Sequence, residues 1–235
     1  MNLRKKTRLK RIFTRLYDDV KHLKKSISLK SKWYGNDYGG FYAYNKNLSE
    51  SSIVYSFGIG EDISFDLEIN QDTNCLVYCF DPTPKSISWI KRRNLPDTIS
   101  FFNYGISDKD ETTTFFLPKN KKHVSGSLIA HHNIDLDDKV FVQMKRLKSI
   151  MRELGHSHID ILKMDIEGAE YNVINDILDS DISINQILVE LHDRFFKDGR
   201  NKSKKTVERL NNKGYGIFAI SDSFKEVSFI KENTL

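Results

Sequence analysis

The sequence predicts an α/β protein built on a mostly parallel β-sheet with helices on both faces. From Ile53 onward, short apolar stretches alternate with stretches of helical periodicity, and this alternation is typical of βαβ units. The last two apolar stretches, Tyr215–Ile220 and Glu226–Ile230, are joined by a Ser-Asp-Ser turn, which predicts an antiparallel hairpin. We therefore expect a parallel sheet that ends in one C-terminal antiparallel hairpin.

The individual elements follow from local signals. Apolar runs bounded by turns predict strands, and proline in a first turn predicts that a helix begins at Pro84. We expect strands at Ile53–Phe57, Cys75–Phe80, Ile99–Tyr104, Ile159–Met164 and Gln186–Leu191, and helices at Glu61–Asn70, Pro84–Arg93, Leu147–Leu154, Ala169–Leu178 and Ser203–Asn212. Short strands are expected near residues 113–117 and 140–144.

The positive charge of the chain is concentrated at its start. Residues 1–32 contain 12 Lys and Arg and two acidic residues, whereas the other 203 residues carry 25 basic and 30 acidic ones, so the charge balance does not predict a specific nucleic-acid partner. Apolar residues recur at three- and four-residue steps over residues 7–25, which predicts an amphipathic helix. This helix would pack on the domain or a second subunit, or lie on an anionic membrane surface. We divide the chain into a basic segment, 1–32, and a globular domain, 33–235.

The sequence also predicts where the protein resides. It contains no apolar run of about 18 residues that could span a membrane, and its start lacks the apolar region of a secretory signal. Cys75 and Cys79 are four residues apart in a predicted strand, roughly 13 Å and therefore too far for a disulfide. We expect a cytoplasmic protein, with residues 7–25 as a candidate contact with the inner membrane surface.

A glycine-containing turn ends the first strand of the domain. Gly58 and Gly60 follow Phe57, and they allow the backbone to turn tightly and approach a ligand closely. Asp81 ends the second strand, 23 residues after Gly58, where an acid accepts hydrogen bonds from the ribose hydroxyls of an adenosine. In the alternative interpretation Asp81 belongs only to an Asp-Pro turn. Ligands bind beyond the carboxyl ends of parallel strands, so the combination predicts an adenosine site there.

Glu61 and Asp62 distinguish between adenosine-containing cofactors. A dinucleotide site needs a third glycine and a helix N-terminus free for pyrophosphate, but here the third position is not glycine and two carboxylates are predicted to open the helix. Carboxylates repel a pyrophosphate and suit the ammonium and sulfonium groups of S-adenosylmethionine (SAM). The candidate cofactor-binding residues are Phe57, Gly58, Gly60, Glu61, Asp62, Asp81, Ser107 and Asp165.

Four titratable residues end the fourth and fifth strands of the domain. Asp165 and Glu167 follow one strand, and Glu190 and His192 follow the next; we take these four as candidate catalytic residues. Deprotonating a hydroxyl requires a positioned base or a metal ion, and histidine titrates near neutral pH. Alternatively, the carboxylates and the imidazole hold a divalent cation, or Asp165 and Glu167 only cap the next helix. Capping does not explain Lys163, which needs a charged partner if it is buried.

These motifs together resemble a known family. The segment Leu162–Glu170 is similar to the Lys-x-Asp-x-Glu-Gly-x-Glu signature of the FkbM-type methyltransferases, which are SAM-dependent enzymes of the Rossmann-like class I fold and mostly methylate oxygen. Ile187–His192, Ser56–Asp62 and Phe80–Pro84 also resemble that family. The similarity covers about residues 33–230.

The resemblance implies roles for several residues. Gly58, Gly60 and Asp81 would serve SAM, and Asp165 would lie near its methionine or methyl end. Class I enzymes usually carry an acid where this chain has Ser56, so the group that receives the SAM ammonium is open, with Glu61 and Asp62 as replacements. The stretch 115–129 is expected to shape the acceptor pocket.

We therefore expect a SAM-dependent methyltransferase that acts on an oxygen of a glycan or a small hydroxylated metabolite. The alternative from another functional class is a noncatalytic SAM- or nucleotide-binding module tethered by its basic helix. An NAD(P)-dependent oxidoreductase is the third interpretation.

Overall fold

The computed structural model describes residues 20–120, 126–129 and 133–234. The strands in these ranges are β1 (Lys32–Tyr34), β2 (Phe41–Ala43), β3 (Ile53–Phe57), β4 (Leu76–Phe80), β5 (Ile99–Phe102), β6 (Gly105–Ile106), β7 (Glu111–Pro118), β8 (Ile134–Lys145), β9 (His158–Met164), β10 (Ser183–Glu190), β11 (Tyr215–Ile220) and β12 (Glu226–Lys231). The α-helices are α1 (Ser64–Thr73), α2 (Pro84–Ile90), α3 (Leu147–Leu154), α4 (Glu170–Asp179) and α5 (Gly199–Asn212). Short 3₁₀ turns follow at Asp193–Phe195 and Glu232–Thr234.

The central sheet has seven strands in the order β11-β12-β10-β9-β3-β4-β5. The five strands from β10 to β5 pair in parallel, whereas β12 is antiparallel to both β10 and β11. The predicted parallel sheet with a C-terminal antiparallel hairpin is therefore confirmed. The chain runs outward from β3 through β4 to β5 and then returns to β9 on the other side of β3. This reversal places a crevice at the carboxyl ends of β3 and β9, where such sheets bind ligands.

Both faces of the sheet are buried. Successive strand residues point to opposite sides, and each side packs against an apolar core. Tyr55 and Phe57 belong to one apolar core with residues of α3, α4 and α5. Val54, on the opposite face, belongs to a second core with Phe65 and Ile69 of α1. Helices thus cover the sheet on both sides, as the sequence predicts.

The region between β5 and α3 is more extended than the sequence predicts. Strands β7 and β8 form a long antiparallel hairpin, and β6 joins it as a third, parallel strand. The two short strands expected near 113–117 and 140–144 are parts of this hairpin. Cross-strand pairing extends them beyond their apolar positions, and one register shift lies between Phe116 and Leu117.

The N-terminal prediction fails in the part that the structure describes. Residues 7–19 lie outside the described ranges, and residues 20–25 form a turn followed by irregular chain, so the prediction of a helix up to residue 25 is wrong there. Leu23 is buried in the main core, and the backbone N–H groups of Ser26 and Ile27 donate to the carbonyl of Ile217 in β11. These contacts hold the segment against the outer strand β11 as irregular chain. The division at residue 32 stays a prediction.

Among the described residues, no helix has both the length and the apolar character needed to cross a bilayer.

Candidate active site

A cavity of about 550 Å³ lies at the carboxyl ends of β3, β4 and β9. Its volume falls within the range of small-molecule sites. Seven of the eight predicted cofactor residues line it: Phe57, Gly58, Gly60, Glu61, Asp62, Asp81 and Asp165. The crevice predicted from strand order and the cavity observed in the structure therefore coincide.

Gly58 and Gly60 form the turn at the floor of this cavity. Both have positive φ angles, 77° and 54°, which favour glycine. A Cβ atom on Gly58 would lie 1.7 Å from the carbonyl oxygen of Asp165, so only glycine allows β3 and the segment after β9 to approach this closely. The Gly60 N–H donates to Asp81 Oδ2 at 2.8 Å, which links the glycine turn to the end of β4.

Asp81 lies in a turn and also lines the cavity. Its Oδ1 accepts hydrogen bonds from the N–H and the hydroxyl of Thr83, at 2.9 and 2.6 Å, as an Asp-Pro turn predicts. The residue is nevertheless part of the cavity lining. Burial raises the pKa of its carboxyl, although Thr83 and Gly60 act in the opposite direction.

An apolar end lies beyond Asp81. Gly105, Ile106, Phe115, Leu128 and Met144 line the cavity there. Ser107, predicted as a cofactor residue, does not line it: the hydroxyl donates to Asp108 at 3.1 Å. The role of Ser107 as a cofactor residue stays a prediction.

Glu61 and Asp62 line the cavity, but they do not open a helix as predicted, because α1 begins at Ser64. Asp62 instead holds the preceding turn. Its Oδ1 accepts from the Ser64 N–H at 2.8 Å and its Oδ2 from Asn36 Nδ2 at 2.7 Å. Glu61 lies 3.4 Å from Lys85 Nζ. The positive φ of the preceding glycine lengthens the turn before the helix.

Asp165 and Glu167, which also line the cavity, surround His192 together with Glu190. The Nε2 atom of His192 lies 3.3 Å from Glu167 Oε2, 3.6 Å from Asp165 Oδ1 and 3.7 Å from Glu190 Oε1. The four residues predicted to be catalytic are thus brought together. Burial, followed by the neighbouring Glu190, raises the pKa of Asp165 to about 8, while His192 acts in the opposite direction.

His192 lies behind the residues that line the cavity. Its side chain is fully buried, and it does not line the cavity. Burial alone would lower its pKa, but Glu167, Glu170 and Asp165 outweigh burial and hold the pKa of the imidazole well above its ordinary value. The surrounding carboxylates therefore favour the protonated form of the buried imidazole, and the role of His192 as a base stays a prediction.

Glu170 is the site residue that sequence reasoning missed. It is fully buried, and its carboxylate accepts hydrogen bonds from the N–H groups of Gly168 and His192, at 2.9 and 2.8 Å. It also lies 3.3 Å from His192 Nδ1. The N-cap residue of α4 is Ala169, which makes no side-chain cap hydrogen bond, so neither Asp165 nor Glu167 occupies the N-cap position. One sequence signal could have pointed to Glu170, because it is the last acid of the Lys-x-Asp-x-Glu-Gly-x-Glu motif. Helical periodicity by itself predicts only that the residue lies in a helix.

Glu167 adopts a backbone conformation that is rare for a residue with a side chain. Its φ angle is 50°, in the left-handed region, and the hydroxyl of Ser127 donates to its carbonyl at 2.7 Å. Such conformations persist where surrounding contacts fix them. The stretch 115–129, which we expect to shape the acceptor pocket, thus contacts the turn that follows β9.

A second cavity of about 510 Å³ meets the first at this point. Tyr38, Asp165 and Glu167 line both cavities. The second also contains polar and charged groups, Asn120, Asn133, Ser223 and Lys225, and the ring of Phe195. Asp165 and Glu167 therefore lie at the boundary between two neighbouring cavities.

The same cluster is also a candidate metal site. Asp165, Glu190 and His192 each offer one ligand atom within 4.8 Å of the others. Ligands of one octahedral ion lie about 3 Å apart, so the distances of 3.6 and 3.7 Å from His192 would have to shorten. Arg194 and Lys225 also lie 3.3 and 3.6 Å from Glu190. These two cations offset the charge of Glu190, and a metal ion at the cluster stays an open alternative.

Comparison with known proteins identifies the family. Residues 44–217 match the family model described as "Methyltransferase FkbM domain". The chain belongs to the FkbM methyltransferase family. This match covers β3 to β10 and every candidate catalytic residue.

Individual FkbM relatives are distant. The chain is 28% identical over 142 residues to a human protein named "Probable methyltransferase-like protein 24", covering 59% of this chain and 32% of that protein. It is 29% identical over 112 residues to "2-O-methyltransferase NoeI" of Sinorhizobium fredii, covering 42% and 46%. A crystal structure of methyltransferase FkbM from Methylobacillus flagellatus KT aligns at 10% identity with a TM-score of 0.48, over 79% of this chain and 45% of that one. The chain thus spans less than half the length of these relatives.

Proposed function

We propose that this FkbM-family protein is a SAM-dependent O-methyltransferase that acts on a glycan or a related hydroxylated compound. The observation that carries the proposal is the pair of cavities that meet at Asp165 and Glu167. One cavity suits a methyl donor and the other an acceptor. The shared carboxylates lie where a hydroxyl would lose its proton.

The chemistry of the first cavity fits SAM from one end to the other. Its apolar end, with Ile106 and Met144, suits a flat adenine ring. Asp81 follows, and a carboxylate there suits a ribose diol. Asp62 and Lys163 line the remaining part, and this pair of opposite charges suits the zwitterionic methionine end.

When bound, SAM supplies a methyl group on a sulfonium, which is a reactive electrophile. The chain must then orient a hydroxyl oxygen and accept its proton, and much of the acceleration in such displacements comes from positioning. Asp165 Oδ1 is buried without a hydrogen-bond partner, so it is available to accept that proton. Its raised pKa brings it nearer to the operating pH, as general-base catalysis favours. His192 stabilises the ionised carboxylates from behind.

The acceptor class is argued from the second cavity. Its amide, hydroxyl, ammonium and carboxylate groups offer many partners for a polyhydroxylated molecule, and each such pairing contributes to orientation. Phe195 adds an apolar face. A relative named as a 2-O-methyltransferase supports oxygen as the methylated atom.

The proposal is tested in two steps. Calorimetric titration with SAM, S-adenosylhomocysteine and NAD(P) should show binding of the first two compounds only; binding of NAD(P) alone would support the oxidoreductase. SAM labelled on its methyl group is then offered with a panel of oligosaccharides and small hydroxylated metabolites, with and without chelator. Label should appear on an acceptor oxygen, and Asp165→Asn should bind SAM but transfer poorly.

Two other outcomes would each overturn one part of the proposal, the transfer itself or the role of Asp165 as the base. Binding of SAM without transfer to any acceptor class would favour the noncatalytic module. Loss of transfer in chelator, with recovery on adding a divalent cation, would place a metal at the cluster.

A further inference from the structure

Lys163 is a buried cation at the cofactor cavity. It lies in the central strand β9 and is only 3% exposed, yet it lines the cavity. Its register partner in β3 is Ser56, the position where class I enzymes usually carry an acid. Lys163 Nζ lies 5.3 and 5.9 Å from the ring centroids of Phe41 and Phe65. It forms no ion pair with any residue in the described part of the chain.

The residues behind Lys163 do not compensate its charge through a close contact. Asp66 is 1% exposed, and neither of its carboxylate oxygens has a hydrogen-bond partner. The Ser56 hydroxyl is also buried without a partner. Burial raises the pKa of Asp66, although Lys163 acts in the opposite direction. Asp66 therefore makes no close ion pair with Lys163, and a close partner for the lysine can enter from the cavity that Lys163 lines together with Asp165.

A buried charge is costly unless it is paired, and the cavity is where a partner can enter. We propose that Lys163 binds the carboxylate of the methionine end of SAM and of S-adenosylhomocysteine. Asp62, which lines the same cavity and is held by Asn36, then receives the ammonium. This inference rests on the proposed function, because it assigns a group within the SAM site.

Such an arrangement also gives a physical account of Ser56. An acid at that position would face Lys163 across the β3–β9 pair and would neutralise it internally. Serine leaves the lysine charge available to a ligand. The acid that receives the ammonium is accordingly displaced from β3 to the turn before α1, where Asp62 lies.

The experiment compares two ligands that differ only in the carboxylate. S-adenosylhomocysteine has it, and decarboxylated S-adenosylhomocysteine retains the ammonium without it. The wild-type protein should bind the first at least tenfold more tightly, as expected for a charge-assisted pair. Lys163→Met should bind S-adenosylhomocysteine about thirty- to hundredfold more weakly while its affinity for the decarboxylated compound stays within threefold. The preference for the carboxylate should therefore disappear in this variant.

Asp66→Asn is the matched control, because it changes the buried acid behind Lys163 without changing the lysine. It should keep the preference of the wild-type protein. If Lys163 is only the counter-ion of Asp66, both single variants should melt at lower temperature, the double variant should recover, and the carboxylate preference should persist in each.

Other outcomes separate this inference from the proposed function. If the wild-type protein binds both ligands equally well, Lys163 does not bind the carboxylate; this comparison needs no variant and holds even if Lys163→Met fails to fold. If the wild-type protein binds neither ligand, the proposed function itself is wrong.

Discussion

Replacing His192 by glutamine removes the charge of the imidazolium but keeps a side chain that can donate a hydrogen bond. In the wild-type protein, His192 Nε2 lies 3.6 Å from Asp165 Oδ1. Two unit charges at this separation attract by about 4 to 5 kcal/mol at an effective dielectric constant of 20, or about three pH units at 1.36 kcal/mol each. Because Glu167 and Glu190 share the imidazolium charge, we expect the pKa of Asp165 to rise by at least about one pH unit.

The sign of the effect follows from the role of Asp165. A base must be ionised, and its pKa of about 8 in the wild-type protein places the rising limb of the rate profile near that pH. His192→Gln should move this limb to higher pH. The rate near pH 7 should fall about tenfold for each pH unit by which the limb moves, and it should recover above the new pKa.

The assay is methyl transfer to the acceptor identified in the screen, measured across pH at saturating SAM. His158→Gln is the control, because His158 is exposed at the opposite end of β9 and pairs with Asp160 at 3.4 Å; its profile should match that of the wild-type protein. In a separate measurement without acceptor, nuclear magnetic resonance should show that the imidazole of His192 stays protonated through pH 8.

Two results would refute this reasoning. A loss of about 10² to 10⁴ that is equal at every pH would mean that His192 itself transfers the proton. An unchanged pH profile together with a lower melting temperature would mean that the residue serves only packing.

Three further predictions concern the cofactor turn and the chain start. Asp81→Asn should weaken SAM binding by about 3 kcal/mol, some hundredfold, while the exposed Asp97→Asn should not; equal affinities in calorimetry would remove the ribose assignment. Gly58→Ala should lower the unfolding free energy by several kcal/mol more than Gly155→Ala in denaturant titrations, because both glycines have φ near 75° but only Gly58 would meet a backbone atom. Deleting residues 1–19 should leave SAM affinity unchanged and weaken binding to anionic vesicles by about 1 kcal/mol for each basic residue that contacts the surface; unaltered vesicle binding would argue against a membrane contact.

The sequence by itself determined the fold class and the location of the cavity at the carboxyl ends of the central strands. Helix and strand periodicity extend over a few residues, so α3 and β11 were predicted with their observed bounds. The carboxyl ends of parallel strands share one edge, so the motifs at Gly58, Asp81 and Asp165 could be placed together before any contact was known.

Only the tertiary structure decided how the charges of the site are paired. Glu170 and His192 are 22 residues apart, and their contact places the histidine in a buried position among carboxylates. The sequence also predicted a charged partner for a buried Lys163, and the structure shows that the lysine is buried without an ion pair among the described residues. Burial and charge pairing depend on which distant segments meet, and local sequence patterns do not contain that information.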